Sequence, residues 1–317
     1  MKAIIFSDIH FHFWEKHNVN NKRTNAQLLV FENIVRLAYR NKCPVFFGGD
    51  LFNNPGEVTN KLLNYLSSNL TQIFEEYPDV QIYMISGNHD MAEKNTLTHR
   101  SPSYIQAFSN LFPNLHNLDF SSVVVEGTTF FGIPYLEDNG GLTDAIGHLT
   151  LTGDDILLMH SGFKGQKDTS GVVVSEGFNI NEDNFKSFKY VLSGHIHKPG
   201  KVRKNIYSIG APLQLRISDM GGRFGYWVLS SGDELRFKEL TKTPKFRTYE
   251  LESEIDNDTD IWVKRLKPPE GISLVSSTVS NIDPISLAIE YCKSIGITSK
   301  AKIRGLINFI KESNDHI

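Results

Sequence analysis

The chain has 317 residues, of which 40% are hydrophobic and 22% charged, as expected for one large globular domain with a smaller appendage. Its formal charge of −3 excludes a basic coat protein for nucleic acid, so contact with a polyanion requires a local patch or metal ions. The two cysteines stand far apart, the start is too short for a signal sequence, and no apolar stretch approaches a membrane span. These features predict a cytoplasmic protein without a membrane partner.

The first half of the sequence alternates strand and helix patterns. Apolar runs at residues 2–6, 45–47 and 80–85 predict buried strands, and stripes at helical spacing predict helices from Ala26 and over residues 59–77. Strands that are apolar on both faces and joined by helices indicate a parallel sheet covered by helices. Such sheets bind their ligands at the carboxyl ends of the strands.

The second half continues with strands and ends in helices. A hairpin and four more strands are predicted at residues 123–133, 156–159, 190–193, 206–209 and 226–229. Two stacked mixed sheets flanked by helices, an α/β fold of four layers, is the simplest arrangement. Beyond residue 232 the sequence is charged and broken by prolines, and a helical hairpin is predicted for residues 281–317, where Asp283 and Ser299 are the expected caps.

Polar side chains follow the predicted strands at the points where these end. They are Asp8, His10, Asp50, Asn88, His160, His195 and His197. Carboxylate, amide and imidazole donors without a thiolate favour manganese, iron or zinc. Seven ligands are too many for one tetrahedral ion, whereas two ions that share a carboxylate, as in hydrolases with ions roughly 3.5–4 Å apart, would use them all.

The spacing of the polar residues supports a shared site. In extended backbone, residues i and i+2 point the same way, so Asp8 and His10 are expected to face the site while Ile9 enters the core. His195 and His197 are expected to do the same. Each motif alone has a structural explanation, such as a cap or a turn, but their coincidence at five strand ends indicates function.

These motifs together resemble the calcineurin-like metallophosphoesterase superfamily. Its pattern is D-x-H, G-D, G-N-H-D, a later H, and G-H-x-H, and the matches here extend over residues 8–197. The chain is most similar to the SbcD-type branch of DNA-repair nucleases, in a compact phage or bacterial version. That similarity rests on Gly49-Asp50-Leu51-Phe52 before a long helix and on the glycine turn at residues 207–212.

The resemblance implies two divalent ions, with Mn²⁺ preferred, and a role for each residue. One ion would be held by Asp8, His10, Asp50 and His197, and the other by Asp50, Asn88, His160 and His195, with Asp50 bridging. The ions would activate a water for in-line attack on phosphorus. His89 would orient the scissile phosphate and protonate the leaving alkoxide. Asp90 would orient His89 or a ligand histidine.

The implied function is a two-metal DNA exonuclease or endonuclease subunit in recombination and repair. Residues 1–232 would form the nuclease domain, 233–280 a short reduced capping or linker region, and 281–317 a helix-loop-helix. The last would dock on an SMC-like ABC ATPase of the SbcC type, and a homodimer is also allowed. DNA contacts are expected from the basic residues Lys198, Lys201, Arg203 and Lys204. Two alternatives stay open: a phosphatase or small-nucleotide phosphodiesterase on the same fold, and a non-catalytic scaffold.

Overall fold

A computed structural model describes residues 1–264, except for residues 14–17, 19–20, 56, 94–95, 97–99, 175–181, 251–252 and 254–259. These residues belong to one compact unit that runs to Arg265. The predicted helical hairpin over residues 281–317 lies outside the described residues. Among the helices in the described ranges, none is both long enough and apolar enough to cross a membrane.

The elements of the first half are, in chain order, β1 (Ala3–Phe6), α1 (Lys22–Asn41), β2 (Val45–Phe47), α2 (Asn60–Glu76), β3 (Ile82–Met84), α3 (Tyr104–Leu111), β4 (Leu115–Asn117), β5 (Ser121–Val125), β6 (Thr128–Ile133) and α4 (Asn139–Gly147). Then follow β7 (Ile156–His160), α5 (Glu182–Phe185), β8 (Tyr190–Gly194), β9 (Gly200–Lys201), β10 (Ile206–Ser208), a 3-10 turn (Ile217–Asp219), β11 (Gly225–Leu229), β12 (Leu235–Glu239), β13 (Phe246–Tyr249) and β14 (Ile261–Lys264). The predicted strands and two long helices are present, while the helices α3 to α5 and the strands β4, β9 and β12 to β14 were not predicted.

The strands form two six-stranded mixed sheets. The first has the order β12-β11-β1-β2-β3-β4, with β1 to β4 parallel and β11 and β12 antiparallel to their neighbours. The second has the order β5-β6-β7-β8-β10-β9, with a parallel centre and antiparallel edges. Strands β13 and β14 form a separate parallel pair. The predicted α/β fold of two stacked mixed sheets is confirmed.

Alternation along the buried strands builds the four layers. In β1, Ile4 and Phe6 join the apolar cluster under α1 and α2, whereas Ile5 joins the cluster between the two sheets. Across that inner layer Phe46 of β2 stacks on Phe130 of β6, with ring centroids 3.9 Å apart. A third cluster covers the outer face of the second sheet with residues of α4 and α5.

The boundary predicted at residue 232 falls before the end of the first sheet. Strand β12 pairs with β11 from Leu229↔Leu235 to Gly225↔Glu239, so the sheet reaches into the segment predicted as a linker. This strand was not predicted because it lies at a sheet edge, where charged residues such as Arg236 and Lys238 alternate with half-buried ones. The start of α1 at Lys22 is likewise earlier than the Ala26 expected from the apolar stripe.

Candidate metal centre

The carboxyl ends of parallel strands from both sheets meet at one edge of the molecule. Each of the three sets of potential ligand atoms there lies within 4.8 Å: Asp8, His10 and His197; His10, Asp50 and His89; and Asp50, His160 and His195. Because β1 and β2 belong to the first sheet and β7 and β8 to the second, the site lies where the two sheets adjoin. The structure therefore brings six of the seven predicted ligands, and His89, into overlapping groups.

Asn88 completes the predicted set. Its side-chain oxygen lies 3.2 Å from Nε2 of His160 and 3.0 Å from Nδ1 of His195. The other ring nitrogen of His160, Nδ1, donates to the carbonyl oxygen of Gly48 at 2.7 Å. That hydrogen bond fixes the ring and leaves Nε2 facing the site. Burial lowers the pKa of His160, but the carboxylate of Asp50 outweighs it and raises the pKa to about 9, so a metal ion would have to displace the Nε2 proton.

The carboxylate of Asp50 lies between the two histidine groups. Its Oδ2 is 3.5 Å from Nε2 of His10 and 3.3 Å from Nε2 of His160, while Oδ1 accepts the backbone amide of His89 at 2.9 Å. Burial alone would raise the pKa of Asp50, but His160 and His10 hold it well below the usual range. A fully ionised carboxylate in this position can face two cations at once.

Buried polar atoms without partners indicate that the site is built for cations. Both ring nitrogens of His10, which is 5% exposed, and Nδ1 of His197 lack hydrogen-bond partners among the described residues. Burial lowers the pKa of His10 far below its ordinary value and the pKa of both His195 and His197 to about 4. Neutral imidazoles with free lone pairs, next to the buried carboxylate of Asp8, are the donor set that divalent metals require.

Four of the ligand positions have left-handed backbone. The φ angles are 55° at Asp8, 51° at His10, 60° at Asp50 and 86° at His195. Asp8 and His10 bring their ligand atoms into one group, but the extended backbone that was expected there is absent, because both residues lie in the left-handed region. Such backbone is costly for residues other than glycine and clusters at functional sites.

Close backbone approach at Gly87 explains the glycine before Asn88. A Cβ there would overlap Oδ1 and the amide nitrogen of Asp50, and it would lie 2.8 Å from Cγ of the same residue. Only a residue without a side chain allows the turn after β3 to approach the turn after β2 this closely.

Asp90 has a different contact from the one predicted. Its carboxylate, which is fully buried, accepts four backbone amides: Asp50 at 2.8 Å, Leu51 at 2.8 Å, Phe52 at 3.1 Å and Gly87 at 2.9 Å. The predicted orientation of His89 or a ligand histidine by Asp90 was therefore wrong. The carboxylate instead fixes the main chain that carries Asp50, because both of its oxygens accept backbone amides of the turns after β2 and β3.

His89 lies beside the ligands, and its ring is held by the main chain. Nδ1 donates to the carbonyl oxygen of Asn53, and the ring centroid is 4.9 Å from that of His10. Nε2 is thereby the ring atom left to meet a substrate or an ion.

Two supporting residues were missed by sequence reasoning. Gln27 is fully buried on α1, and its side-chain nitrogen Nε2 donates to the carbonyl oxygens of Ile9 and His10, each at 2.7 Å. The only signal in the sequence was a polar residue on the apolar face of a helix. Tyr135 places its ring 5.9 Å from that of His195, and no motif marks it.

The four basic residues predicted to contact DNA are separated by the structure. Lys198, Lys201 and Arg203 line one groove beside the last ligand strand. Lys204 does not line this groove but a smaller cavity with Asp183 and Lys186, which Arg203 also borders.

Stacked mixed sheets with an imidazole–carboxylate site at their shared edge define the metallophosphoesterase fold. Residues 1–199 match the family model of the calcineurin-like phosphoesterases, and the chain therefore belongs to that family. The family implies a metal-dependent phosphoester hydrolase, and the candidate Asp and His groups agree with it.

Two relatives and one solved structure were compared with the chain. The SbcD component of the nuclease SbcCD from Staphylococcus epidermidis is 25% identical over 231 residues, which cover 65% of this chain and 60% of that protein. Putative phosphoesterase 244L of Invertebrate iridescent virus 6 is 25% identical over 211 residues, which cover 63% of this chain and 71% of that protein. The structure of a putative 5'-nucleotidase from Staphylococcus aureus in complex with alpha-ketoglutarate has a TM-score of 0.41 at 15% identity, covering 75% of this chain and 52% of that one. The chain thus matches less than two thirds of the length of the SbcD relative.

Proposed function

We propose that the chain is a two-metal-dependent DNA nuclease subunit that hydrolyses phosphodiester bonds. The observation that carries this proposal is the position of the Asp50 carboxylate, within 3.5 Å of ring nitrogens from both histidine groups. The similarity to a component of the SbcCD nuclease supports DNA as the substrate. We infer Mn²⁺ as the preferred ion because the donors are carboxylate, amide and imidazole without a thiolate.

Each ion would have four protein ligands. In this proposal the first is held by Asp8, His10, Asp50 and His197, and the second by Asp50, Asn88, His160 and His195. Asp50 would contribute to both, because Nε2 of His10 and Nε2 of His160 both lie within 3.5 Å of its Oδ2. Nε2 of His160 would face the second ion, because Nδ1 of the same ring already donates to the carbonyl oxygen of Gly48.

The remaining polar residues would position the substrate and move a proton. When bound, the ions supply Lewis-acid stabilisation of charge on the phosphoryl group and a water nucleophile near neutral pH. His89, with Nδ1 held by Asn53, would present Nε2 to the leaving alkoxide and protonate it. Asp90 would take no part in the proton transfer. It would hold the backbone amides of the turn that positions Asp50.

The partner and the cellular process are part of the same proposal. The relative's name refers to one component of a nuclease with several subunits, which supports an SMC-like ABC ATPase with a coiled coil as the partner. We assign docking to residues 281–317, whose sequence favours an apolar helical hairpin. Recombination and repair would be the setting in which such a complex acts.

A phosphatase or small-nucleotide phosphodiesterase is the second candidate. It is favoured by the similarity to a viral phosphoesterase, whose name specifies no nucleic acid. A non-catalytic scaffold is disfavoured, because a scaffold has no need for strained backbone at four ligand positions.

The test is hydrolysis by the purified chain with Mn²⁺. Substrates are single- and double-stranded DNA, a cyclic nucleotide, a phosphomonoester and bis(p-nitrophenyl) phosphate, each with and without a candidate coiled-coil ATPase. We expect cleavage of DNA and of the small diester. The second candidate would be favoured if the chain cleaved the monoester or the cyclic nucleotide but neither form of DNA, even with the ATPase present.

A further inference from the structure

A groove with a volume of about 350 Å³ lies beside the candidate metal centre. One wall is residues 164–167 and the other is residues 198–203, with Ser208 between them. Five basic residues and no acidic ones line it, and we call it the basic groove: Lys164, Lys167, Lys198, Lys201 and Arg203.

Both walls of the basic groove begin at candidate metal ligands. The chain passes from His160 at the end of β7 through Gly162 to Lys164, and from His197 directly into Lys198. Since β7 and β8 pair in parallel with His160 opposite Gly194, the two walls leave neighbouring strand ends. Gly162 stays against the site, because a Cβ on it would lie 3.2 Å from the ring of His195. The two walls therefore begin one and four residues after candidate ligands, which places the groove next to the strand ends that carry them.

The charges in the basic groove are not neutralised by the protein. Within the part of the chain that the structure describes, its five basic residues form no ion pairs, whereas Lys189, Arg216 and Arg236 elsewhere on the surface do. Lys201 lies over the ring of Tyr207 at 5.7 Å, which leaves its charge uncompensated. Like charges on facing walls repel each other, and an anion between them would relieve that repulsion.

The wall at residues 164–167 is a fixed loop. The amide of Gly165 donates to the carbonyl oxygen of Val174 at 2.9 Å, and the amide of Val174 donates to that of Gln166 at 2.8 Å. Phe163 is fully buried just before the loop, and Thr169 just after it donates to the buried carboxylate of Asp219. The lysines on this wall are thus carried by backbone that is already ordered.

We propose that the basic groove binds the sugar-phosphate backbone of a single DNA strand next to the bond that is cut. This rests on the proposed nuclease function, and it adds the strand state of the substrate. The groove's volume lies within the range of ordinary small-ligand pockets, which suits a short segment of one backbone better than a duplex. A positively charged groove that follows the backbone is one of the two usual parts of a single-strand binding site.

The experiment compares two charge-reversal pairs in the full-length chain. Lys164→Glu with Lys167→Glu changes the basic groove, and Lys238→Glu with Lys242→Glu makes the same charge change at exposed positions that do not line it. Binding of a fluorescent single-stranded oligonucleotide and of its blunt duplex is measured by anisotropy over a salt series. Cleavage of both, and of bis(p-nitrophenyl) phosphate, is measured with Mn²⁺.

We expect the groove pair to weaken single-strand binding about tenfold and to reduce its salt slope by about 0.7 per lost phosphate contact. Its ratio of single-strand to small-diester cleavage should fall similarly, and the control pair should keep both values. The groove proposal would be overturned if the groove pair left single-strand binding unchanged, or if it weakened binding of single strand and duplex equally. The nuclease proposal would stand in either case, provided that the wild type cleaves DNA. Cleavage of the small diester without any DNA cleavage would instead overturn the nuclease function, and the anisotropy series would still decide the groove.

Discussion

The carboxylate of Asp90 accepts the backbone amide of Asp50 at 2.8 Å, so the residue between the two candidate ion positions is held through its own main chain. Three further amides bind the same carboxylate. The turns after β2 and β3 are thereby joined by a single buried side chain.

Asp90→Asn should both destabilise the protein and weaken metal binding. An amide nitrogen would face backbone N–H groups in place of an accepting oxygen, which we expect to cost about 2–4 kcal/mol in the free energy of unfolding. Manganese affinity should fall roughly 10–100-fold, as for other supporting residues of metal sites. Denaturant unfolding and a Mn²⁺ titration measure the two effects. Asp155→Asn, at another buried carboxylate that binds Thr152, is the matched control and should change stability alone.

Asp50→Asn should remove both ions, because Asp50 belongs to two of the overlapping ligand groups. Asp8→Asn should mainly remove one, since Asp8 belongs to a single group. Metal content per chain after dialysis against Mn²⁺ separates the two variants. Full retention of one ion by Asp50→Asn would contradict the bridging role.

His89→Ala should keep the metal content and lose turnover. Without a proton donor at the leaving alkoxide, kcat should fall about 10²–10⁴-fold. His148→Ala, at an exposed histidine that caps α4, is the control and should behave like the wild type. Loss of an ion from the His89 variant would show that His89 is a metal ligand instead. The metal content tests this directly, because a ligand atom of His89 lies in one group with those of His10 and Asp50.

Gly87→Ala should damage the site without changing any polar group. The added methyl would overlap the carboxylate and amide of Asp50, so the two turns must separate. We expect a loss of about 1–3 kcal/mol in stability and weaker manganese binding. Gly147→Ala, at the end of α4 where a Cβ would meet nothing within 4 Å, should leave both unchanged. Equal manganese affinity in the two variants would show that the close approach at Gly87 is unimportant.

The ion pairs of Asp233 should make stability depend on acid pH. Lys2 and Lys189 bind its two oxygens at 2.7 and 2.9 Å and lower the pKa of this carboxyl, with the hydrogen bond from Lys2 the larger cause. Because the folded pKa is depressed, the contribution is complete above the unfolded pKa of about 3.9 and is lost as pH falls through the folded pKa. Asp233→Asn, which tolerates the left-handed backbone there, should lower Tm near pH 7, and the difference should shrink as the pH falls below about 3.9. A constant difference in Tm across this range would argue against the ion pairs.

Much of the site could be predicted from sequence because strand ends and ligand residues are both local features. The convergence of Asp8, Asp50 and His160 follows from apolar runs that end in polar groups, together with the rule for parallel sheets. The contacts of Asp90 could not be predicted, because they depend on the distance between two turns about 40 residues apart. The left-handed backbone at Asp8 and His10 has no signal in residue type either, since neither is glycine.

The elements that were missed are short or polar. Helix α3 has eight residues, and β4 has three with only Leu115 buried, so neither shows a full period of an apolar pattern. The second wall of the basic groove was missed for another reason. Lys164 and Lys167 are separated in sequence from Lys198, and only the pairing of β7 with β8 brings their loops together.

The hydrogen bonds that place the ligands are made by the protein itself. The amides of Asp8 and His10 bind the carbonyl oxygens of Gly49 and Asp50, and just beyond them Phe11 bridges to Phe52. The two ligand-bearing turns are therefore closed at both ends by main-chain pairing that needs no ion. In a zinc finger the metal drives folding, whereas here loading would be an exchange of water for side chains at a finished site. The exchange of one bound ion for another would then not require the chain to refold.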